Sequence, residues 1–156
     1  MTPAVKFLEK QGVTHTVHRY ELGESPAGTY GEAVAKAIGA EPQRVFKTLI
    51  AQLNSGKLVV AVVPVSRTLD LRALAAAAGA KSAAMAPPPA AEKATRYVTG
   101  GISPFGQRKM LRTFVDRSLE THPTVFVSAG RRGLQVEMGS KDLVRLCEAS
   151  VAELSE

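Results

Sequence analysis

The chain has one cysteine, no tryptophan and few aromatic residues, and each shortage narrows what it can do. A single cysteine, Cys147, among 156 residues excludes an intrachain disulfide and a cysteine zinc cluster. With aromatic residues at 5%, no long platform for stacking nucleic-acid bases is expected. No apolar run approaches the roughly 18 residues of a membrane-spanning helix. The opening MTPAVKFLEKQG lacks the basic start, apolar centre and small-residue cleavage site of a secretory signal. A P-loop, a dinucleotide-binding glycine fingerprint and a G-x-S-x-G nucleophile elbow are all missing. His15, His18 and His122 have no ligand partners at a recognised metal spacing, so no cofactor is expected and His15 and His18 read as solvated strand residues. A reducing cytoplasm, with no membrane partner, is the simplest setting.

What is present fits one domain over residues 1–156, with 45% apolar and 22% charged residues. Lys and Arg outnumber Asp and Glu by 20 to 14, a net charge of +6. The stretch from Arg96 to Arg112 also contains Arg108 and Lys109 and no acidic residue, and Arg131-Arg132 form a second basic pair. Such clusters serve either as phosphate contacts or as ordinary solubilising charge.

Turn and cap residues divide the chain. Thr2-Pro3 opens a helix that Gly12 closes, and Thr14 to Tyr20 reads as a strand. A loop through Gly23, Pro26 and Gly28 leads to a second helix, capped by Thr29 with Glu32 three residues on and ended by Gly39. Val45 to Leu53 and Lys57 to Pro64 form a hairpin across Asn54-Ser55-Gly56. Asp70 opens a helix closed by Gly79, and Pro87-Pro88-Pro89 precedes a short helical stretch. Thr113 to Asp116, Thr124 to Ser128 and Leu134 to Met138 read as strands, and Ser140 caps a last helix. The fold class is α/β of the α+β type, with a mixed, largely antiparallel sheet and helices packed around it.

Three features carry chemistry. Lys47 interrupts the apolar run Val45-Phe46-Lys47-Thr48-Leu49-Ile50 on the face of Val45 and Leu49. It either meets an anion, a carbonyl or a pocket, or guards a sheet edge. The segment Gly100-Gly101-Ile102-Ser103-Pro104-Phe105-Gly106 allows close backbone approach to a ligand, with amides free for an oxyanion, or else is a tight connection. The turn Ser128-Ala129-Gly130-Arg131-Arg132-Gly133 is a hairpin loop or a phosphate contact. Cys147 lies in the apolar pattern of the last helix and reads as buried filler. An acyl-transfer enzyme made of these parts would have no evident protein nucleophile, leaving positioning, electrostatics and the substrate itself.

Together, TPAVKFLEK, Tyr20, Tyr30-Gly31-Glu32, VFKTL, LDLRALA, GGISPFGQRK and VSAGRRGL resemble, in order and over nearly the whole chain, the YbaK family of aminoacyl-tRNA deacylases. These are relatives of the editing domain of bacterial prolyl-tRNA synthetases. The resemblance implies a mixed sheet curled around a pocket for the aminoacylated 3′ end of tRNA. It matches Lys47 to the family's strand lysine and Gly100 and Gly101 to its glycine pair. Tyr20, Tyr30, Thr48 and Ser128 are then pocket residues, with Ile102, Ser103, Ala129, Gly130 and Gln135 beside them. Arg108, Lys109, Arg112, Arg131 and Arg132 become candidate tRNA-phosphate contacts. Many members carry an acidic residue at the place of Gln135 and glycine at that of Ala129. The implied activity is removal of cysteine from mischarged tRNA(Pro), with the substrate thiol attacking its own ester and prolyl-tRNA synthetase as a partner. A deacylase for another small amino acid such as alanine, or a non-catalytic module binding tRNA or synthetase, are the alternatives.

Overall fold

The run VFKTLIAQL–NSG–KLVVAVVP has little choice but to pair with itself, and in the computed structural model it forms the central hairpin. The structure describes residues 1–22 and 29–156, so the loop expected through Gly23, Pro26 and Gly28 lies outside the described residues. In chain order the first elements are α1 (Pro3–Gln11), β1 (His15–Arg19), α2 (Tyr30–Ile38), β2 (Phe46–Leu53), β3 (Leu58–Pro64) and α3 (Leu71–Ala78). They are followed by β4 (Ala83–Met85), α4 (Pro88–Thr95), β5 (Thr113–Asp116), β6 (Thr124–Ser128), β7 (Leu134–Gly139), α5 (Ser140–Leu146) and β8 (Ser150–Ala152). One-turn 3₁₀ segments, Pro42–Arg44 and Arg117–Thr121, lead into β2 and β6.

The expected mixed, largely antiparallel sheet is present in two parts. Five strands run β4-β2-β3-β5-β8, antiparallel as far as β3 and parallel beyond it; three run β1-β7-β6, all antiparallel. Among the described residues a single bridge, Val45 to Phe126, joins them. Register across β2 and β3 runs from Phe46 opposite Pro64 to Gln52 opposite Leu58.

Both faces of this hairpin are covered, which is why its strands read as nearly unbroken apolar runs. Phe46, Ile50, Val60 and Val62 pack against Val125, Val127 and Val136 of the smaller sheet and Leu8 of α1. Ala51, Val59, Ala61 and Val63 pack against Leu74 of α3 and Phe114 of β5. A third, smaller cluster of Ala35, Val45, Val65 and Phe126 seats α2 where the sheets meet.

Two strands escape the sequence reading. β4 and β8 are three residues each, without a β-branched alternation, and are held from outside. The Asn54 side-chain oxygen accepts the amides of Lys81 and Ser82 at 3.0 and 3.2 Å, delivering β4 to β2. Asp116, 4% exposed, accepts the Leu154 amide at 2.8 Å and the Ser118 amide at 3.2 Å, fixing the chain beyond β8. Ser140 does not cap α5: it is the helix's first residue after Gly139, and its hydroxyl donates to the His122 carbonyl. His18 is not merely solvated, since its Nε2 lies 2.9 Å from Glu137 Oε1.

Burial alone would raise the Asp116 pKa, but its hydrogen bonds from Ser118 and Leu154 prevail and hold it below the usual carboxylate range. A depressed folded pKa contributes stability above the unfolded value and loses it as pH falls through the folded one. Asp116→Ala should therefore cost about 2 kcal/mol near neutral pH, the scale of buried hydrogen bonds to a charge. In thermal melts the gap to wild type should narrow below about pH 3.9, the ordinary aspartate value. A pH-independent gap would assign the loss to packing alone.

Candidate active site

At the start of β2, where the two sheets meet, the apolar run is broken by Lys47 and Thr48, and the structure opens a cavity of about 550 Å³ there. α2 forms one wall with Tyr30, Gly31 and Val34; Ala86 and the start of α4, Pro88 and Ala91, form another. Thr99, Gly100 and Ile102 close it from the connection after α4, and Ser128 and Gln135 border it at the adjoining ends of β6 and β7. The last two are directly opposed cross-strand neighbours. α2 reaches the chain just past β3 because residue 31 is glycine: a Cβ there would lie 2.7 Å from Val65 Cβ.

Two polar atoms of the side chains bordering this chamber have no partner among the described residues. They are Thr48 Oγ1 and Gln135 Oε1, buried on residues 9% and 7% exposed. An unpaired buried group of this kind costs about 1–3 kcal/mol, and the structure bears that cost at the border of the cavity. Half-buried Lys47 makes no salt bridge among the described residues. Desolvation lowers its pKa, with the Glu32 carboxylate opposing. At the rim, burial and then the Tyr20 hydroxyl raise the Tyr30 pKa, while the Arg132 guanidinium works against them. That guanidinium sits 5.3 Å from the Tyr30 ring centroid.

Of the residues singled out from sequence, Lys47, Thr48, Tyr30, Gly100, Ile102, Ser128 and Gln135 line the cavity. Tyr20 and Arg132 stand behind them at the rim. The others support the site without lining it. Ser103 is fully buried, its hydroxyl accepting the Phe105 amide at 3.3 Å. The Gly101 amide already donates to the Val98 carbonyl at 2.8 Å and is not free for an oxyanion. Ala129 is buried, with its carbonyl taking the Thr2 hydroxyl. Gly130, at φ +109, packs against Tyr97 and Thr2, and its amide donates to Ser128 Oγ at 3.1 Å. Arg108, Lys109 and Arg131 are exposed. Arg112 lies over Phe114 and donates to the Ala78 carbonyl at 3.0 Å, behind α3.

The wall built by Met85, Ala86, Pro88 and Ala91 was not legible, because small apolar residues beside prolines carry no chemical signature. Gly31 was legible only as part of a motif. Among the described residues no three His, Cys, Asp or Glu side chains gather to hold a metal. Cys147 does not line the cavity; it is 5% exposed, burial pushes its thiol up to about 12, and its sulfur lies 3.9 Å from the Pro104 carbonyl oxygen. The chamber can hold an ester, offer it a cation and accept hydrogen bonds from it, yet its lining among the described residues contains no cysteine, histidine or carboxylate.

This fold around this chamber defines a class. Residues 24–146 match the aminoacyl-tRNA editing domain, and the chain belongs to that family. It is therefore a hydrolase of the aminoacyl-tRNA deacylase type, as the motifs implied. Over 154 residues it is 34% identical to the Enterococcus faecalis (strain ATCC 700802 / V583) protein named "Putative Cys-tRNA(Pro)/Cys-tRNA(Cys) deacylase EbsC", covering 99% of this chain and 93% of that one. A crystal structure described as "a putative trans-editing enzyme for prolyl tRNA synthetase" is 26% identical, with TM-score 0.81 over 100% of this chain and 99% of the other. A second solved structure, of a hypothetical protein, is 25% identical with TM-score 0.86, covering 99% of both chains.

A lysine whose folded pKa is lowered binds its proton less well in the native state, so native stability rises with pH up to the ordinary lysine value of about 10.4. Below that window the charged Lys47 carries its desolvation cost. Lys47→Met should raise the melting temperature at neutral pH and flatten its rise with pH. Deacylation should fall by about 100-fold or more, as when a preorganised charge at the reacting carbonyl is removed. A variant both destabilised and active would contradict a substrate-facing role.

Proposed function

We propose that this protein removes cysteine from mischarged Cys-tRNA(Pro) in trans, cleaving the ester between the amino acid and the terminal ribose. The observation that carries the reading is a chamber with a desolvated lysine, bordered by two side chains with unpartnered buried oxygens, and with no cysteine, histidine or carboxylate among its described lining residues. The relative named as a Cys-tRNA(Pro)/Cys-tRNA(Cys) deacylase supports the choice of cysteine and tRNA(Pro). The likeness to a structure described as a trans-editing enzyme supports prolyl-tRNA synthetase as the partner and the translating cytoplasm as the setting.

In this mechanism the substrate brings its own nucleophile. The thiol sulfur, having lost its proton, attacks the ester carbonyl carbon, forming a C–S bond. The C–O bond to the ribose then breaks, and the ribose oxygen takes up the proton. The four-membered thiolactone opens with water to free cysteine. Lys47 stabilises the negative charge that gathers on the carbonyl oxygen, and Thr48 and Gln135 orient the aminoacyl group. Lining the chamber, Lys47, Thr48, Tyr30, Gly100, Ile102, Ser128 and Gln135 form the site, and Arg108, Lys109 and Arg131 contact tRNA phosphates.

Time courses with Cys-, Ser-, Ala- and Pro-charged tRNA(Pro) test this directly. Cys-tRNA(Pro) should be cleared fastest. Ser-tRNA(Pro) should lag by more than the roughly 100-fold that a pocket alone achieves between near-isosteres, because a serine hydroxyl stays protonated where a thiol ionises. Cys147→Ser should keep most activity. Fast clearance of Ala-tRNA(Pro) would replace the thiol with a bound water, and no clearance of any substrate would leave a binding module.

A further inference from the structure

From sequence, Arg131-Arg132 is either a hairpin turn or a phosphate contact, and Gly100-Gly101 either a tight connection or a source of free amides. In the structure each pair explains the other. A Cβ on Gly101 would lie 2.8 Å from Arg131 Cα and 2.9 Å from the Arg132 nitrogen, both backbone atoms. A Cβ on Gly100 would lie 2.5 Å from Arg132 Nε. The glycines are the seat on which the turn between β6 and β7 rests.

From that seat Arg132 reaches across the cavity mouth. Its Nη2 donates to the Thr99 carbonyl at 3.2 Å, and its guanidinium carbon lies 5.3 Å from the Tyr30 ring centroid. The Thr99 amide in turn donates to Glu92 Oε2 on α4 at 2.7 Å. Behind the turn, the Tyr20 amide donates to the Gly133 carbonyl at 3.0 Å. One guanidinium therefore joins the β6–β7 turn to the segment after α4 and to α2, and Thr99, Gly100 and Tyr30 all line the cavity.

We infer that Arg132 is a positioning residue for deacylation, holding the Thr99-Gly100 segment and the Tyr30 ring at a fixed separation across the mouth. The terminal nucleotide then enters in one orientation and delivers its ester carbonyl to Lys47. This rests on the deacylase reading above. The residue type matters: a planar guanidinium donates in its plane to a carbonyl while its face stacks on an aromatic ring, whereas a lysine ammonium on a flexible stem offers no flat face to hold the two at a fixed separation.

The test pairs kinetics of Arg132→Ala and Arg132→Lys on Cys-tRNA(Pro) with amide hydrogen exchange at Thr99 and Gly101 in the free proteins. Both variants should lose about 30- to 100-fold in single-turnover rate with little change in KM, the cost of a misplaced reacting group. Exchange at both amides should quicken at least about tenfold, because the strap that closes the segment is gone. Three results would overturn the inference. One is a raised KM at unchanged rate with a salt dependence shallower by about one phosphate contact. The others are full rescue by lysine and unchanged amide exchange. If wild-type protein hydrolyses no aminoacyl-tRNA, the deacylase reading falls on its own. The exchange measurement then decides alone whether Arg132 straps the rim.

Discussion

Keeping polar side chains unpaired at the border of an apolar chamber is the constraint on which this structure depends. Thr48 Oγ1 and Gln135 Oε1 have no partner among the described residues, and Lys47 is half-stripped of water beside them. Left to relax, such groups would turn to water or to each other. They are prevented by the strands that carry them. Thr48 stands on β2 between Phe46 and Ile50, in the largest apolar cluster, while Gln135 is locked in register against both Ser128 and His18. The stability needed to hold this arrangement comes from the twice-covered β2–β3 hairpin.

Close backbone approach does the rest. Lys47 and Thr48 face opposite sides of their strand, yet both border the cavity because it lies at the strand's beginning, where the Val45–Phe126 bridge joins the sheets. α2 closes over that junction only because Gly31 has no side chain to strike Val65. Arg44, just beyond α2, anchors the same corner, donating to the Thr124 carbonyl and to Glu137, which also holds His18. The chamber is thus bordered by segments far apart in sequence, fixed by Gly31, by hydrogen bonds of Arg44 and Asn54 and by strand pairing.

Legibility followed local chemistry. The hairpin, the capped helices and the Leu134–Met138 return strand carry their own signals, so they could be read directly. Lys47 was legible because a charge inside a β-branched run breaks the pattern. β4 and β8 were not, since three-residue strands take their conformation from Asn54 and Asp116 elsewhere in the chain. The glycine pair was found for one reason and turned out to serve another: Gly101 spends its amide on Val98 and gives its missing side chain to the Arg131 backbone. No residue-by-residue reading places an alanine such as Ala91 on a cavity wall, because only the packing of α4 puts it there.

The central claim is that the chamber positions an ester and leaves the attack to the substrate. Charging tRNA(Pro) with S-methylcysteine tests it most directly, since the sulfur then cannot form a thiolate while the side chain grows by one methyl in a cavity of about 550 Å³. The account predicts that this tRNA stays charged while competing with Cys-tRNA(Pro) for the enzyme. Hydrolysis at a rate near that of Cys-tRNA(Pro) would contradict it and put a bound water in the place of the thiol.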